Sequence, residues 1–141
     1  MMLGLQFETG TSWAEIAKND LRQILTDHAY AEQKASANAT SIIINYSEET
    51  ELVQEMALIA IEELEHFEGV YQFMAKRGIQ LPQKMAEDTY MKQLIGVCRS
   101  GQEERLIDRI LIASIVEMRG MERFKLISEV LEDPELKQFY K

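Results

Sequence analysis

The sequence predicts an all-α protein, an antiparallel four-helix bundle with an extra short helix. Helix-forming residues dominate, and 141 residues contain only seven glycines and two prolines. Three long segments space their apolar residues alternately three and four apart, as helices do when they pack against one another. The only strand-like run, Ile42–Ile44, is better explained as the end of the first helix.

Local signals place the two helices of the first half. A capping box at Ser12–Glu15 predicts a first helix over residues 13–45. Ser47 is a suitable N-cap for a second helix over 48–77. Gly78 follows two cations at the end of that segment, which is typical of a helix C-terminus.

The second half contains a short helix, a long helix and the start of another. The short helix is expected near 84–99, and a capping box at Ser100–Glu103 opens a long helix over 103–131. Asp133-Pro134 fits an N-cap followed by proline in the first helical position. Because the sequence ends at Lys141, about two turns later, we expect this last helix to be truncated.

Length and composition restrict the class of protein. The length suits a single domain over residues 1–141. A lone cysteine, Cys98, excludes an intrachain disulfide framework and favours the reducing cytoplasm. No signal peptide and no run of roughly 20 apolar residues is present, so no membrane span is expected. The net charge of −9 disfavours broad electrostatic binding of nucleic acid but allows a local basic patch.

Carboxylates interrupt the apolar stripe of each long helix near its middle. Glu32 interrupts the first, Glu63 and His66 the second, and Glu117 the third. A buried, uncompensated charge costs several kcal/mol. A Glu-x-x-His pair facing the inside of a bundle is how di-iron carboxylate proteins present their ligands.

These four side chains are the candidate metal ligands. Carboxylates and imidazole suit iron and manganese, so we expect Glu32, Glu63, His66 and Glu117 to converge at mid-bundle. The alternative is that they are polar residues that specify helix register, or that the predicted helical phase is wrong by one residue. Off the stripes, and expected in solvent, lie Glu62, Glu65, Glu68 and Glu122.

Three further groups of residues have two interpretations each. His28, one turn before Glu32, is either an outer partner of a ligand or a hydrogen-bonded core residue. Tyr30 and Tyr71 lie near the level of the ligands, where packing is favoured over a redox role. The cations of the second half either form a local basic face or pair with glutamates on the helix surface. They are Arg99, Arg105, Arg109, Arg119, Arg123 and Lys125.

Four segments carry a resemblance to a known family. Residues 26–35, 51–56, 62–68 and 117–125 resemble the ferritin-like tRNA hydroxylases of the MiaE family, and the resemblance covers nearly the whole chain. It implies a non-haem di-iron monooxygenase. The implied reaction is hydroxylation of the isopentenyl group of 2-methylthio-N-isopentenyladenosine next to the tRNA anticodon.

The resemblance also implies ligands and partners. By motif, the family's iron ligands fall on Glu32, Glu63, His66 and Glu117, the positions already identified on the stripes. It implies two iron ions, tRNA and dioxygen. It also implies an external electron donor, because no segment resembles a flavin or nicotinamide site. No membrane partner is expected, and the oligomeric state is not specified.

The sequence departs from the family at its end. The family carries a second Glu-x-x-His on its final helix, and this sequence ends before that motif. We therefore expect four of the six ligands of a di-iron site. Two other functions remain open, because a fold does not fix function. One is a ferritin-like role in handling iron or peroxide, and the other is a metal-poor helical bundle that acts by association.

Overall fold

The structure, a computed structural model, describes residues 5–85 and 87–141. Within these ranges every regular element is a helix, which confirms the all-α prediction. No described helix combines the length and apolar character that crossing a membrane requires. The helices are α1 (Thr11–Ala17), α2 (Leu21–Asn45), α3 (Thr50–Lys76), α4 (Thr89–Gly96), α5 (Gln102–Val130) and α6 (Pro134–Phe139).

The chain divides into two compact units. Residues 22–86 form one unit, the hairpin unit, which holds α3 and all but the first residue of α2. Residues 1–21 and 87–141 form the other, the α5 unit, which holds α1, α4, α5 and α6. The single domain over the whole chain stays a prediction.

The predicted first helix over 13–45 is wrong, because two helices occupy this range. Asn19 and Asp20 lie between them, and both residue types favour helix ends because their side chains compete with backbone hydrogen bonds. Asn19 Nδ2 donates to the Glu15 carbonyl at 2.9 Å. The Asp20 amide donates to the Ala17 carbonyl at 2.9 Å, which closes a tight turn.

Three predicted N-caps are wrong, those at Ser12, Ser47 and Ser100. The N-cap residues are Gly10 for α1, Glu49 for α3 and Gly101 for α5, and none of them makes a side-chain cap. Both glycines have the extended backbone that an N-cap needs, and glycine is well tolerated there. Each serine signal is therefore displaced from the helix start by one to three residues.

The C-terminus of α3 is confirmed at Gly78. This glycine has φ of +64°, a left-handed conformation that favours glycine over other residues. Its amide donates to the Ala75 carbonyl at 3.1 Å, and the Ile79 amide donates to the Met74 carbonyl at 2.9 Å. These two bonds form a Schellman motif, which satisfies carbonyls left without partners at the helix end.

The start of α6 is also confirmed. Asp133 Oδ1 accepts hydrogen bonds from the amides of Glu135 at 2.9 Å and Leu136 at 3.2 Å, and Pro134 occupies the first turn. The predicted short helix exists but is shorter than 84–99. It begins after Asp88, whose side chain accepts a hydrogen bond from the Met91 amide at 2.9 Å.

In the hairpin unit, α2 and α3 run antiparallel and fix each other's register. Ser36 Oγ donates to the Ala60 carbonyl at 2.8 Å, a bond between the middle turns of the two helices. On the stripe predicted for α2, Leu25, Ala39 and Ile42 are buried, as expected. On the stripe predicted for α3, Val70 is buried but Ile59 is 37% exposed, so only part of that stripe faces the core.

In the α5 unit, a glutamate expected in solvent fastens the N-terminal segment to α5. The Glu122 carboxylate accepts hydrogen bonds from both the amide and the hydroxyl of Thr9, each at 2.7 Å, and from Arg119 at 2.6 Å. Its side chain is only 14% exposed. Burial opposes the charge, but these donors lower the pKa of Glu122 below its ordinary value. The expectation of a solvated Glu122 is wrong because two donors and a guanidinium compensate its charge.

Candidate metal centre

The middle turns of α2 and α3 bring three predicted ligands together. One donor atom from each of Glu32, Glu63 and His66 lies within 4.8 Å of the other two. His66 Nδ1 is 3.3 Å from Glu63 Oε2 and 3.8 Å from Glu32 Oε2. We call these three residues the Glu/His cluster.

Helix geometry and register explain why the cluster forms. Glu63 and His66 are three residues apart on α3, so their side chains are neighbours on one face. The bond between Ser36 and Ala60, about one turn away, fixes α2 against α3. This register places Glu32 opposite the Glu63–His66 pair.

The carboxylates of the cluster are nearly buried and the imidazole is exposed. The side chains of Glu32 and Glu63 are 12% and 16% exposed, whereas that of His66 is 54% exposed. The expectation that His66 lies on the buried stripe is therefore wrong. At 3.6 residues per turn, His66 lies about 60° around the helix from Glu63, at the edge of the face that α2 covers.

His28 holds one oxygen of Glu32. Its Nε2 is 2.7 Å from Glu32 Oε1, and the His28 side chain is 8% exposed. Burial alone would raise the pKa of Glu32. The hydrogen bonds with His28 and Glu63 and the charges of the two nearby imidazoles outweigh burial and lower this pKa below its ordinary value. Glu32 is thus favoured as a carboxylate, the form that binds a cation.

The contact of His28 matches the arrangement expected of an outer partner. With Glu32 ionised, Nε2 of His28 donates this hydrogen bond. Outer partners of this kind orient a ligand oxygen and increase its basicity. The role of His28 toward a bound metal stays a prediction.

Glu117 differs from the other three predicted ligands. It lies on α5, in the α5 unit, and its side chain is exposed. The expectation that Glu117 is buried is wrong, because α5 turns the face of Glu122 toward the N-terminal segment instead. Its assignment as the fourth ligand stays a prediction.

The structure shows where the other charged residues singled out in the sequence lie. Glu62, Glu65 and Glu68 are exposed, as expected for residues off the stripe. At least two of the cations in the second half pair with carboxylates. Arg99 bonds Asp108 through Nη2 at 2.7 Å, and Arg119 bonds Glu122.

One feature near the cluster was missed by reasoning from the sequence. Tyr71, expected to pack inside, is 44% exposed. Its ring stacks on that of Phe67 with centroids 5.9 Å apart and an interplanar angle of 13°. The spacing of Glu63, Phe67 and Tyr71 at four-residue steps would have revealed a shared helix face.

The donor set of the cluster fits a metal cation. Two carboxyl groups in contact repel each other unless a proton or a cation lies between them. Carboxylate oxygen with imidazole nitrogen is a donor combination that iron and manganese accept. The Glu/His cluster could therefore hold a metal through three protein donors.

Two proteins of similar sequence carry the name of a tRNA hydroxylase. A Pseudomonas putida protein named tRNA 2-(methylsulfanyl)-N(6)-isopentenyladenosine(37) hydroxylase is 33% identical over 132 residues, covering 94% of this chain and 63% of that protein. A Salmonella typhimurium protein of the same name is 32% identical over 90 residues, covering 64% of this chain and 33% of that protein. This chain thus spans less than two thirds of the length of these relatives.

A solved structure and a family model cover almost the whole chain. The structure is described as Protein 43 with aldehyde deformylating oxygenase activity from Synechococcus. It matches with a TM-score of 0.91 and 34% identity over 96% of this chain and 67% of that one, which confirms the ferritin-like fold class. The model of the family described as tRNA-(MS[2]IO[6]A)-hydroxylase (MiaE) matches residues 2–141. With a match of that extent, the chain belongs to the MiaE family.

Proposed function

We propose that the protein is a non-haem di-iron monooxygenase that hydroxylates the isopentenyl group of a modified adenosine in tRNA. Membership of the MiaE family and the names of the relatives support the reaction class. The observation that carries the proposal is the Glu/His cluster, whose three donor atoms lie within 4.8 Å of one another. Dioxygen, an external electron donor and a cytoplasmic location belong to the same proposal.

The proposed iron ligands are Glu32, Glu63, His66 and Glu117. When bound, iron supplies the activation of dioxygen and the oxidation of an unactivated carbon–hydrogen bond. Near-burial of the two carboxylates on the hairpin unit excludes water from their side of the site. His28 holds Glu32 in one orientation through its 2.7 Å hydrogen bond.

The exposed imidazole indicates the direction from which a substrate approaches. Nucleobases are large and planar, and a base must leave its stack before its substituent can reach a recessed site. Within the Glu/His cluster, His66 is open to solvent, whereas Glu32 and Glu63 are nearly buried. We therefore place the incoming base on the His66 side of the cluster.

The direct test is made in the source organism. A strain lacking the gene would be complemented with the wild type, Glu63→Ala or Glu65→Ala, and its tRNA nucleosides would be separated and weighed by mass spectrometry. We expect hydroxylated isopentenyladenosine to disappear in the deletion strain and to return with the wild type. Glu65→Ala, an exposed glutamate on the same helix, should restore it, and Glu63→Ala should not.

Two results would contradict the proposal. An unchanged ratio of hydroxylated to unhydroxylated nucleoside in the deletion strain would remove the tRNA substrate. Full rescue by Glu63→Ala would separate the reaction from the Glu/His cluster. In the first case, sensitivity of the deletion strain to peroxide would test the iron-handling role on the same fold.

A further inference from the structure

A row of side chains leads from the Glu/His cluster to the surface of α3. Glu63, Phe67 and Tyr71 are spaced four residues apart, so they lie on one face of the helix, one above the other. At 1.5 Å per residue, Tyr71 lies about 12 Å along the axis from Glu63. The row thus joins a candidate ligand to an exposed aromatic ring.

The two rings of this row form a stacked pair with one accessible side. Phe67 and Tyr71 are nearly parallel, at 13°, with centroids 5.9 Å apart. Phe67 is half-buried and Tyr71 is 44% exposed, so the Tyr71 ring offers a surface to solvent that Phe67 does not cover. Leu64, which is 52% exposed, lies one turn before Phe67 and seven residues before Tyr71 on the same side.

This surface has the chemistry of a base-binding platform. Proteins hold an unstacked base against exposed aromatic rings, since every base has a π-face. Contiguous exposed apolar surface of this kind is typical of binding sites. Leu64 and Phe67 offer an apolar path between the exposed ring and the cluster, and that path suits an alkenyl chain.

We infer that Tyr71 is a positioning residue that stacks the adenine ring of the substrate, so that its isopentenyl group runs over Leu64 and Phe67 to the Glu/His cluster. This inference rests on the proposed function and adds a residue that positions the base. The hydrogen-bonding edge of the base takes no part in this contact. Tyr71 therefore recognises the presence of a base, and Leu64 and Phe67 recognise the presence of an apolar substituent.

The last turn of α3 carries cations, whereas exposed Glu68 lies three residues before Tyr71, so the positive charge of this unit is confined to the helix end. Lys76 and Arg77 follow Tyr71 within two turns, and both lie against the Phe73 ring, at 5.5 Å and 5.4 Å. The register of Glu32 opposite Glu63 places Arg22 at the level of this last turn. The opposite end of the hairpin is acidic, with exposed Glu48, Glu49, Glu51 and Glu55.

Such an asymmetry orients a polyanion. Phosphates are attracted to the cationic end and repelled from the acidic end, and this orientation acts before any specific contact forms. Lys76 lies about 7.5 Å along the axis from Tyr71 and about 140° around the helix, so the cations act on phosphates at the helix end while the ring contacts the base. The positive end and the aromatic pair thus act in sequence on one substrate.

The test is a double-mutant cycle between the ring and the base. Iron-loaded protein would be titrated without oxygen against two anticodon stem-loops, one carrying the isopentenylated adenosine and one abasic at that position. Wild type and Tyr71→Phe should bind the first about ten- to a hundredfold more tightly than the second. Tyr71→Leu should bind both RNAs with nearly equal affinity, and Tyr90→Leu, which removes an exposed tyrosine of α4, should behave as wild type.

The outcomes separate this inference from the proposed function. If the wild type hydroxylates the RNA but Tyr71→Leu keeps the full preference for the base, Tyr71 is not the platform and the function stands. If the wild type neither prefers the base nor hydroxylates it, both fail. If Tyr71→Leu has the same iron content and the same helical circular dichroism as the wild type, its loss of preference for the base is not caused by misfolding.

Discussion

The contact between His28 and Glu32 is the clearest example of one side chain orienting another. A histidine that is 8% exposed places Nε2 2.7 Å from a carboxylate oxygen in the middle of α2. Burying either side chain without the other would cost several kcal/mol, and the hydrogen bond between them offsets much of that cost. The pair also leaves the other Glu32 oxygen facing Glu63 and His66.

At position 28 we predict an effect on metal affinity. His28→Leu removes the donor to Glu32, so the affinity for Fe(II) should fall about 10- to 100-fold. His28→Gln keeps an N–H donor and should lose less. Competition with a chromophoric chelator under nitrogen measures both affinities. Equal affinity in the wild type and His28→Leu would show that His28 is only a core residue.

At the scale of single helices, the starts of α6 and α1 give a matched comparison between a residue that caps a helix and one that does not. Asp133 accepts two backbone hydrogen bonds at the start of α6, whereas Ser12 caps nothing at the start of α1. Asp133→Ala should therefore lower the free energy of unfolding by about 1 kcal/mol. Ser12→Ala should change it by less than about 0.5 kcal/mol. Urea unfolding compares them, and an equal effect of both changes would contradict the cap assignments.

The segment between α4 and α5 is fastened by one ion pair. The Asp108 carboxylate accepts hydrogen bonds from the Arg99 amide at 2.8 Å, Nε at 3.0 Å and Nη2 at 2.7 Å. These side-chain and backbone bonds lower the pKa of Asp108 from 3.8 to about 2. A carboxylate with three donors from one residue holds Arg99 against the second turn of α5.

This ion pair predicts a pH dependence with a definite sign. Because the pKa of Asp108 is lower in the folded state, its contribution to stability is complete above pH 3.8 and is lost as pH falls through about 2. Carbon-13 NMR of the Asp108 carboxylate should show a midpoint near 2, and in Asp108→Asn this part of the acid dependence should vanish. A midpoint near 3.8 would mean that the pair does not persist in solution.

For the whole molecule, apolar periodicity predicted the helices but not their interruption. The apolar stripe assigned to the first helix begins only at Leu21, after the turn at Asn19 and Asp20, so the error came from the capping box at Ser12–Glu15, which was joined to this stripe as one helix. Residues with a local backbone role were predicted well. Gly78 and Asp133 ended and began helices as expected, because φ and cap preferences act within a few residues.

The candidate site was predictable where its contacts lie between neighbouring helices. Glu32, Glu63 and His66 come together because α2 and α3 form a hairpin whose stripes face each other. Glu122 was not predictable in this way. Its partner Thr9 is 113 residues away along the chain, and no periodicity within α5 reports such a contact. The same contact accounts for the error in the phase of α5.

Binding of iron by the Glu/His cluster is the central claim, and one titration tests it most directly. Fe(II) would be added without oxygen to the wild type, Glu63→Gln, His66→Gln and Glu62→Gln, in competition with a chromophoric chelator. We predict that the wild type and Glu62→Gln, which changes an exposed neighbour, bind iron with equal affinity, and that Glu63→Gln and His66→Gln lose it. Equal iron binding by all four proteins, or none by the wild type, would contradict the assignment of the metal to this cluster.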